Sequence, residues 1–261
     1  MTIITNIGEL VGIVPEGVPR KQGAEMDEVG SLRDAYLTIE GERISGFGNM
    51  SECPVPGPQD EVIDAEGGMV IPAFCDSHTH ICYAGTREQE FIDKINGLSY
   101  EEIAARGGGI LNSADLLHRT SEEELYSQTM ARVREMIAKG TGAIEIKSGY
   151  GLTLEDELKM LRVIRRVKKD SPATIKATFL GAHAVGRAFK GRQNEYVNLV
   201  CEEMIPAVAA EGLAEYVDVF CDEGFFTVAE TDRILSAGEA YGLIPKIHAN
   251  ELACSGGVQV A

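Results

Sequence analysis

The stretch "TGAIEIKSGYGLTLEDELKMLRVI", residues 141–164, contains one complete structural unit. A short run rich in β-branched residues ends in glycines and is followed by Thr153 with Asp156, the signature of a capped helix start. Leu154, Leu158, Leu161 and Ile164 then recur at helical spacing. The reading is strand, loop, helix, and the same unit repeats on both sides. "GMVIPAFCD", "ATIKATFLG", "EYVDVFCD" and "GLIPKIHAN" read as further strands, separated by amphipathic segments. Ser121 with Glu124 predicts a capping box ahead of a stripe of Leu125, Thr129, Val133, Met136 and Ile137 that stops at Gly140. Thr227 with Glu230 repeats the device before Ile234, Leu235 and Tyr241, with Gly242 as the stop. A helix over 196–208 is expected to kink or break at Pro206.

Alternating strands and helices imply parallel βα units, either in a closed eight-stranded barrel or in an open doubly wound sheet. The first strand leads into "CDSHTH", which contains neither a GxGxxG nor a GKS/T phosphate turn. Polar groups instead recur beyond every strand: "HTH", "KSGYG", "GAH", "CDE" and "HANE". That distribution suits the C-terminal mouth of a barrel. The expected fold is α/β, a distorted TIM-type barrel with about five of its eight βα units present.

Residues 1–68 read differently, as the N-terminal part of a small β-domain, with residues 69–261 forming the barrel portion. "AYLTIEGERISGF" predicts strand, turn at Glu40-Gly41-Glu42, strand, and "ECPVPGPQDEV" predicts a loop. This segment is too short to close a core without strands from elsewhere in the chain.

Composition narrows the function classes. The 261 residues carry 24 Lys+Arg against 41 Asp+Glu, a formal net charge of -17, so no nucleic-acid partner is expected. The start "MTIITNIGEL" has no basic n-region or long apolar core, and no window approaches a membrane span. Six cysteines without CxxC spacing read as reduced, mostly buried thiols of a cytoplasmic protein.

Residues two apart in a strand point the same way, so His78 and His80 can aim at one point while Thr79 faces outward. His248 ends the fifth strand run and can complete a set of three imidazoles. Neutral nitrogens suit zinc or iron, and an open position on the ion would take water. Around this set Arg87 can hold a carboxylate through its fork. Tyr150, between glycines, either contacts a ligand or plugs the mouth. His183 can donate to a carbonyl, and Glu251, three residues past His248, can shuttle protons. Lys147 is either a modified ligand bridging two ions or a salt-bridged lysine. His118 is read as structural, and "RGGGI", 106–110, as a mobile loop over the site.

Taken in order, "PAFCDSHTHICYAGTREQEF", "GLSYEEIAARGGGI", "EIKSGYGL", "TFLGAHA", "VDVFCDEGFF" and "KIHANE" resemble the imidazolonepropionase family of the metal-dependent amidohydrolases. The resemblance implies one divalent ion, zinc or iron, on His78, His80 and His248. It implies substrate contacts from Arg87, Tyr150, His183 and Glu251, with Glu251 beside the reactive water. It further implies a small anionic heterocyclic substrate, 4-imidazolone-5-propanoate, opened by water to N-formimidoyl-L-glutamate in histidine degradation, and a homodimer. A single ion makes a bridging Lys147 unexpected. The family's fourth ligand, an aspartate, and half of its composite β-sandwich would fall beyond Ala261, so this chain is expected to be a fragment of a longer enzyme and inactive on its own. Two further readings are another amidohydrolase, such as a heterocycle deaminase, and a catalytically inactive fragment with a binding or structural role.

Overall fold

The computed structural model describes residues 1–15, 17–18, 20–98, 102 and 109–260. The chain divides into two compact units, Met1–Ala73 and Phe74–Ala261.

The first unit is a five-stranded sheet. Its strands are β1 (Thr2–Val11), β2 (Ser31–Glu40), β3 (Arg43–Asn49), β4 (Glu61–Asp64) and β5 (Met69–Val70), in the order β3-β2-β1-β4, with β5 also pairing β1. β1, β2 and β3 pair antiparallel, whereas β4 and β5 lie parallel to β1. The expected turn joins β2 and β3, where Gly41 takes φ +60, a conformation costly for residues with a Cβ. Ile7, Leu10, Ala35 and Leu37 form the small buried cluster, while Ile44, Phe47, Val62 and Ile63 stay exposed. With Ile3, five buried apolar side chains are a thin core for a sheet of this size. "GMVIPAFCD", read as one strand, is divided. Met69–Val70 pairs with β1, and a separate strand begins at Phe74. Pro72 lies between them and has no N–H to continue a ladder. The division of the chain therefore falls after Ala73, not after residue 68.

The second unit carries β6 (Phe74–Thr79), β7 (Thr141–Lys147), β8 (Thr174–Ala182), β9 (Tyr216–Cys221), β10 (Ile244–Pro245) and β11 (His248–Ala249). They run parallel in the order β10-β9-β8-β7-β6, with β11 also on β9. The helices are α1 (Glu88–Ile95), α2 (Ile110–Arg119), α3 (Glu122–Ala138), α4 (Leu154–Asp170), α5 (Gln193–Leu199), α6 (Ile205–Ala210) and α7 (Val228–Ala240). α3 packs on β7, α4 on β8 and α7 on β9. The result is a curled parallel half-barrel, the expected TIM-type architecture.

Local signals explain the helices. Ser121, Thr153 and Thr227 each accept the backbone N–H three residues on, at 3.2, 3.2 and 3.3 Å. Only Thr227 has the reciprocal bond, from its own N–H to Glu230, so Ser121 is a cap without the full box. Met160, Leu161, Ile164 and Val167 on α4 are fully buried and join the core with Ile144, Ile146, Phe179 and Val217. The irregularity expected at Pro206 appears as a π-helical segment, Val200–Met204, joining α5 to α6. Among the described residues no helix is long and apolar enough to cross a membrane. All six cysteines are free thiols, but only Cys82 and Cys221 are buried, while Cys75 and Cys254 are exposed. Residues 106–108 of the expected mobile loop lie outside the described residues.

Candidate metal centre and its cavity

His78 sits in β6, His80 just past its end, and His248 opens β11. Their ligand atoms lie within 4.8 Å of one another. The Nε2 atoms of His80 and His78 are 3.3 Å apart, and those of His80 and His248 3.1 Å. A tetrahedral zinc ion with bonds of about 2.0–2.1 Å places its ligand nitrogens about 3.4 Å apart. The cluster is close to that spacing, so the donor set fits one ion. Its electrostatics fit as well. Burial drives the His80 imidazole down to about 3, and burial followed by the Lys147 ammonium also lowers His78. Both rings are therefore neutral at neutral pH, the state a metal ligand needs.

A buried carboxylate holds the His248 ring. Asp218 sits against His248 Nδ1 at 3.1 and 3.0 Å. The carboxylate accepts the Nδ1 proton, which leaves the Nε2 lone pair facing the cluster. Although burial opposes ionisation, the His248 hydrogen bond and the Lys147 ammonium hold the Asp218 carboxyl at about 2. The Lys147 ammonium lies 2.9 Å from Asp218 and 2.7 Å from Glu145. The structure thus places Lys147 in salt bridges, the plainer of its two readings. Thr79 is buried, and its hydroxyl donates to the Glu145 carbonyl at 2.5 Å.

Beyond the triad, Arg87, Tyr150, His183 and Glu251 line one cavity of about 340 Å³, together with Lys94, Ile110, Phe220, Phe225 and Leu252. The His183 ring centroid is 5.2 Å from that of His80 and 5.3 Å from that of Tyr150, so cavity and triad adjoin. Four supports shape the walls. Arg132 donates to the carbonyls of Ile81, Tyr83 and Gly85 and stacks 3.5 Å over Tyr83, fixing the loop after the histidine pair. Buried Glu157 accepts the N–H groups of Gly149, Gly151 and Leu152 at 3.0, 2.7 and 3.0 Å, folding the loop that presents Tyr150. Asp222 accepts the N–H groups of Glu251, Leu252 and Ala253, which sets Glu251 at the rim. Glu90 accepts from Arg87 Nε at 2.8 Å and also from Nη2, and its other oxygen takes the Gly109 N–H at 2.9 Å.

His183 behaves differently from its expected role as a donor. Its Nδ1 lies 2.9 Å from the Gly149 carbonyl, so that nitrogen carries the proton. Burial, opposed by this hydrogen bond, lowers the ring to about 4. A neutral ring with Nδ1 protonated offers Nε2 as an acceptor. Gly149 is required here: its φ is +109, and a Cβ would lie 3.0 Å from both His183 Nδ1 and the Leu180 carbonyl. His118 pairs with Asp156 at 2.7 Å, in keeping with a structural role.

The sequence reading missed the supports. Glu145 and Lys147 alternate within "AIEIK", and Asp218 interrupts the apolar run "YVDVF". Charges inside otherwise apolar strands were the available signal. Lys94 and Glu90 carried none.

Fold and site together are a curled parallel half-barrel with three histidines that could hold one metal ion. Residues 61–106 of this chain match the model of the amidohydrolase family. Its relatives are more specific. It is 53% identical over 258 residues to the imidazolonepropionase of Flavobacterium psychrophilum and 52% identical over 258 residues to that of Christiangramia forsetii. Each alignment covers 99% of this chain and 62% of the relative, so the chain spans about three-fifths of the length of these proteins. Among solved structures, the 5-methylcytosine deaminase of Klebsiella pneumoniae, liganded with phosphonocytosine, superposes with a TM-score of 0.63 at 15% identity. That match covers 99% of this chain and 54% of the other, and at such identity it speaks to the fold alone.

Proposed function

We propose that the protein to which this chain belongs hydrolyses the cyclic amide of 4-imidazolone-5-propanoate to N-formimidoyl-L-glutamate, with one zinc or iron ion held by His78, His80 and His248. The observation that carries the reading is the junction of two features. Three Nε2 atoms converge at 3.1 and 3.3 Å, beside a cavity that offers an arginine, a tyrosine, a neutral histidine and a glutamate. The identity to imidazolonepropionases supports the choice of substrate.

When bound, the ion supplies Lewis acidity toward the ring carbonyl and lowers the pKa of water. The residues do the rest. Arg87 takes the propanoate of the anionic substrate through its guanidinium fork, and Lys94 on the same wall adds positive potential. Tyr150, whose phenol burial keeps protonated, orients the ring by hydrogen bonding. His183 accepts a ring N–H at Nε2, a role that replaces the donor function expected from sequence. Glu251 accepts the water proton and returns one to the departing ring nitrogen. Met1–Ala73 belongs in this reading to a composite β-sandwich, and Phe74–Ala261 to the N-terminal part of the barrel. Cytoplasmic location and a homodimer complete the proposal and rest on the family resemblance.

The test supplies zinc-loaded and iron-loaded protein with 4-imidazolone-5-propanoate, following loss of the ring and appearance of N-formimidoyl-L-glutamate. Metal-dependent formation of that product is expected. Ammonia release from an amino-substituted heterocycle, with the imidazolone untouched, would replace this reading with a deaminase.

A further inference from the structure

The three histidines come from two segments about 170 residues apart in sequence, and a continuous polar path beneath them joins the two. It starts at Thr79, which lies between His78 and His80. The Thr79 N–H donates to Glu145 Oε2 at 3.2 Å, and its hydroxyl to the Glu145 carbonyl. Glu145 Oε1 meets the Lys147 ammonium at 2.7 Å and that of Lys246 at 3.3 Å, and also accepts from the Thr178 hydroxyl. Lys147 continues to Asp218, and Asp218 ends on His248 Nδ1. Lys147 is 0% exposed, Asp218 1% and Glu145 5%.

We propose that Glu145, Lys147 and Asp218 are positioning residues, an ionic brace that locks the Thr79 segment and His248 into one donor set for a single divalent ion. This rests on the metal reading of the triad and adds to it.

Geometry favours a brace over an ordinary buried ion pair. Buried charges are costly, and apolar replacements of similar size often serve stability as well. Here each carboxylate has a definite task at the site. Asp218 selects the His248 tautomer, and Glu145 anchors the backbone between the other two histidines. Lys147 is the only cation that contacts both carboxylates among the described residues, so it couples the two arms. The same placement disfavours a second ion, because the Lys147 ammonium already engages both carboxylates. Ligand-orienting groups of this kind alter metal affinity by about 10–100-fold when removed.

The probe is Co²⁺ alone, bound by the unmodified chain and by Asp218→Asn, Lys147→Met, Thr79→Val and Thr79→Ser. Affinity is read by competition with a chelator and geometry by the cobalt absorption bands. Imidazole ¹⁵N shifts of the metal-free protein report the His248 tautomer. Asp218→Asn and Lys147→Met are expected to weaken cobalt about 10–100-fold and to change its bands. Asp218→Asn should also reduce the Nδ1-protonated form of His248 before any metal is added. Thr79→Val should weaken cobalt several-fold, and Thr79→Ser, which keeps the hydroxyl, should restore it. This smaller pair decides the matter if either ionic variant does not fold. If the unmodified chain binds cobalt and the folded variants bind it with unchanged affinity and bands, the brace is overturned while the metal reading stands. If the unmodified chain binds none, the metal reading falls and the brace falls with it.

Discussion

The floor of the site and its outer wall are built by opposite means. Under the histidines, Glu145, Lys147, Asp218 and His248 sit on parallel strands, each buried and each held by at least two partners. On the wall, Arg87 begins the short helix α1, with a side chain 43% exposed and Glu90 as its ion-pair partner. Strands fix position through the sheet ladder, whereas a helix start at the rim can adjust. A floor that must keep nitrogens within a few tenths of an ångström needs the first arrangement. A wall that must admit and release a substrate suits the second.

The largest effect expected lies in the buried class, at Glu157. Replacement by leucine leaves the N–H groups of Gly149, Gly151 and Leu152 without their acceptor. Each orphaned buried donor costs about 1–3 kcal/mol, so Glu157→Leu should shift denaturant unfolding of the chain strongly. Glu157→Gln, which keeps an acceptor oxygen, should cost less. Burial raises the Glu157 carboxyl above its ordinary value despite those three donors. A raised folded pKa means the native state binds more protons than the unfolded one above about pH 4.3, the unfolded value. Stability from this group is therefore present below that pH and declines as pH rises through the folded pKa. Glu157→Gln should flatten that slope in melting curves taken across pH. An unfolding free energy unchanged in Glu157→Leu would mean that this buried carboxylate does not hold the loop that presents Tyr150.

At the wall, the expectation shifts from stability to ligand binding. Hydrogen bonds to charged groups contribute about 1.5–3 kcal/mol, so Arg87→Met should weaken an anionic ligand roughly 10–100-fold. A suitable probe is 3-(imidazol-4-yl)propanoate, followed by calorimetry on metal-loaded protein. Cobalt bands and melting behaviour should not change. Loss of metal in Arg87→Met would show that the wall carries structural weight after all.

How much of this was visible in the sequence follows the same division. The βα alternation, the cap residues Ser121, Thr153 and Thr227 and the turn at Gly41 were legible because local chemistry sets them. The three imidazoles were legible because a two-residue spacing at a strand end is itself a geometric statement. Strand β1 escaped notice, since "TIITNIGELV" has no clear alternation and gains its place by pairing with β2, β4 and β5. The run through Pro72 was read as one strand because apolar composition outweighed the missing N–H. The His183 tautomer depends on a carbonyl 34 residues away in sequence, and no local pattern encodes it. Asp218 and Lys147 looked like strand impurities until the fold brought them together.

The smallest effect separates the two ways in which Glu90 can act on Arg87. Its carboxylate can compete with a ligand for the guanidinium, or it can hold the guanidinium ready. Competition requires a carboxylate free to leave, yet Glu90 is fixed at both oxygens, one on Arg87 and one on the Gly109 N–H. A fixed acceptor holds the guanidinium in place and reduces the side-chain entropy lost on binding. Glu90→Gln keeps a group able to accept from Gly109 but removes the charge that aligns Arg87. Exposed ion pairs are worth about 0.2–1 kcal/mol, so the imidazolylpropanoate probe should bind about two- to fivefold more weakly to Glu90→Gln, with metal affinity unchanged. Tighter binding would mean that Glu90 is a competitor, and that the wall opens by releasing Arg87 rather than by presenting it.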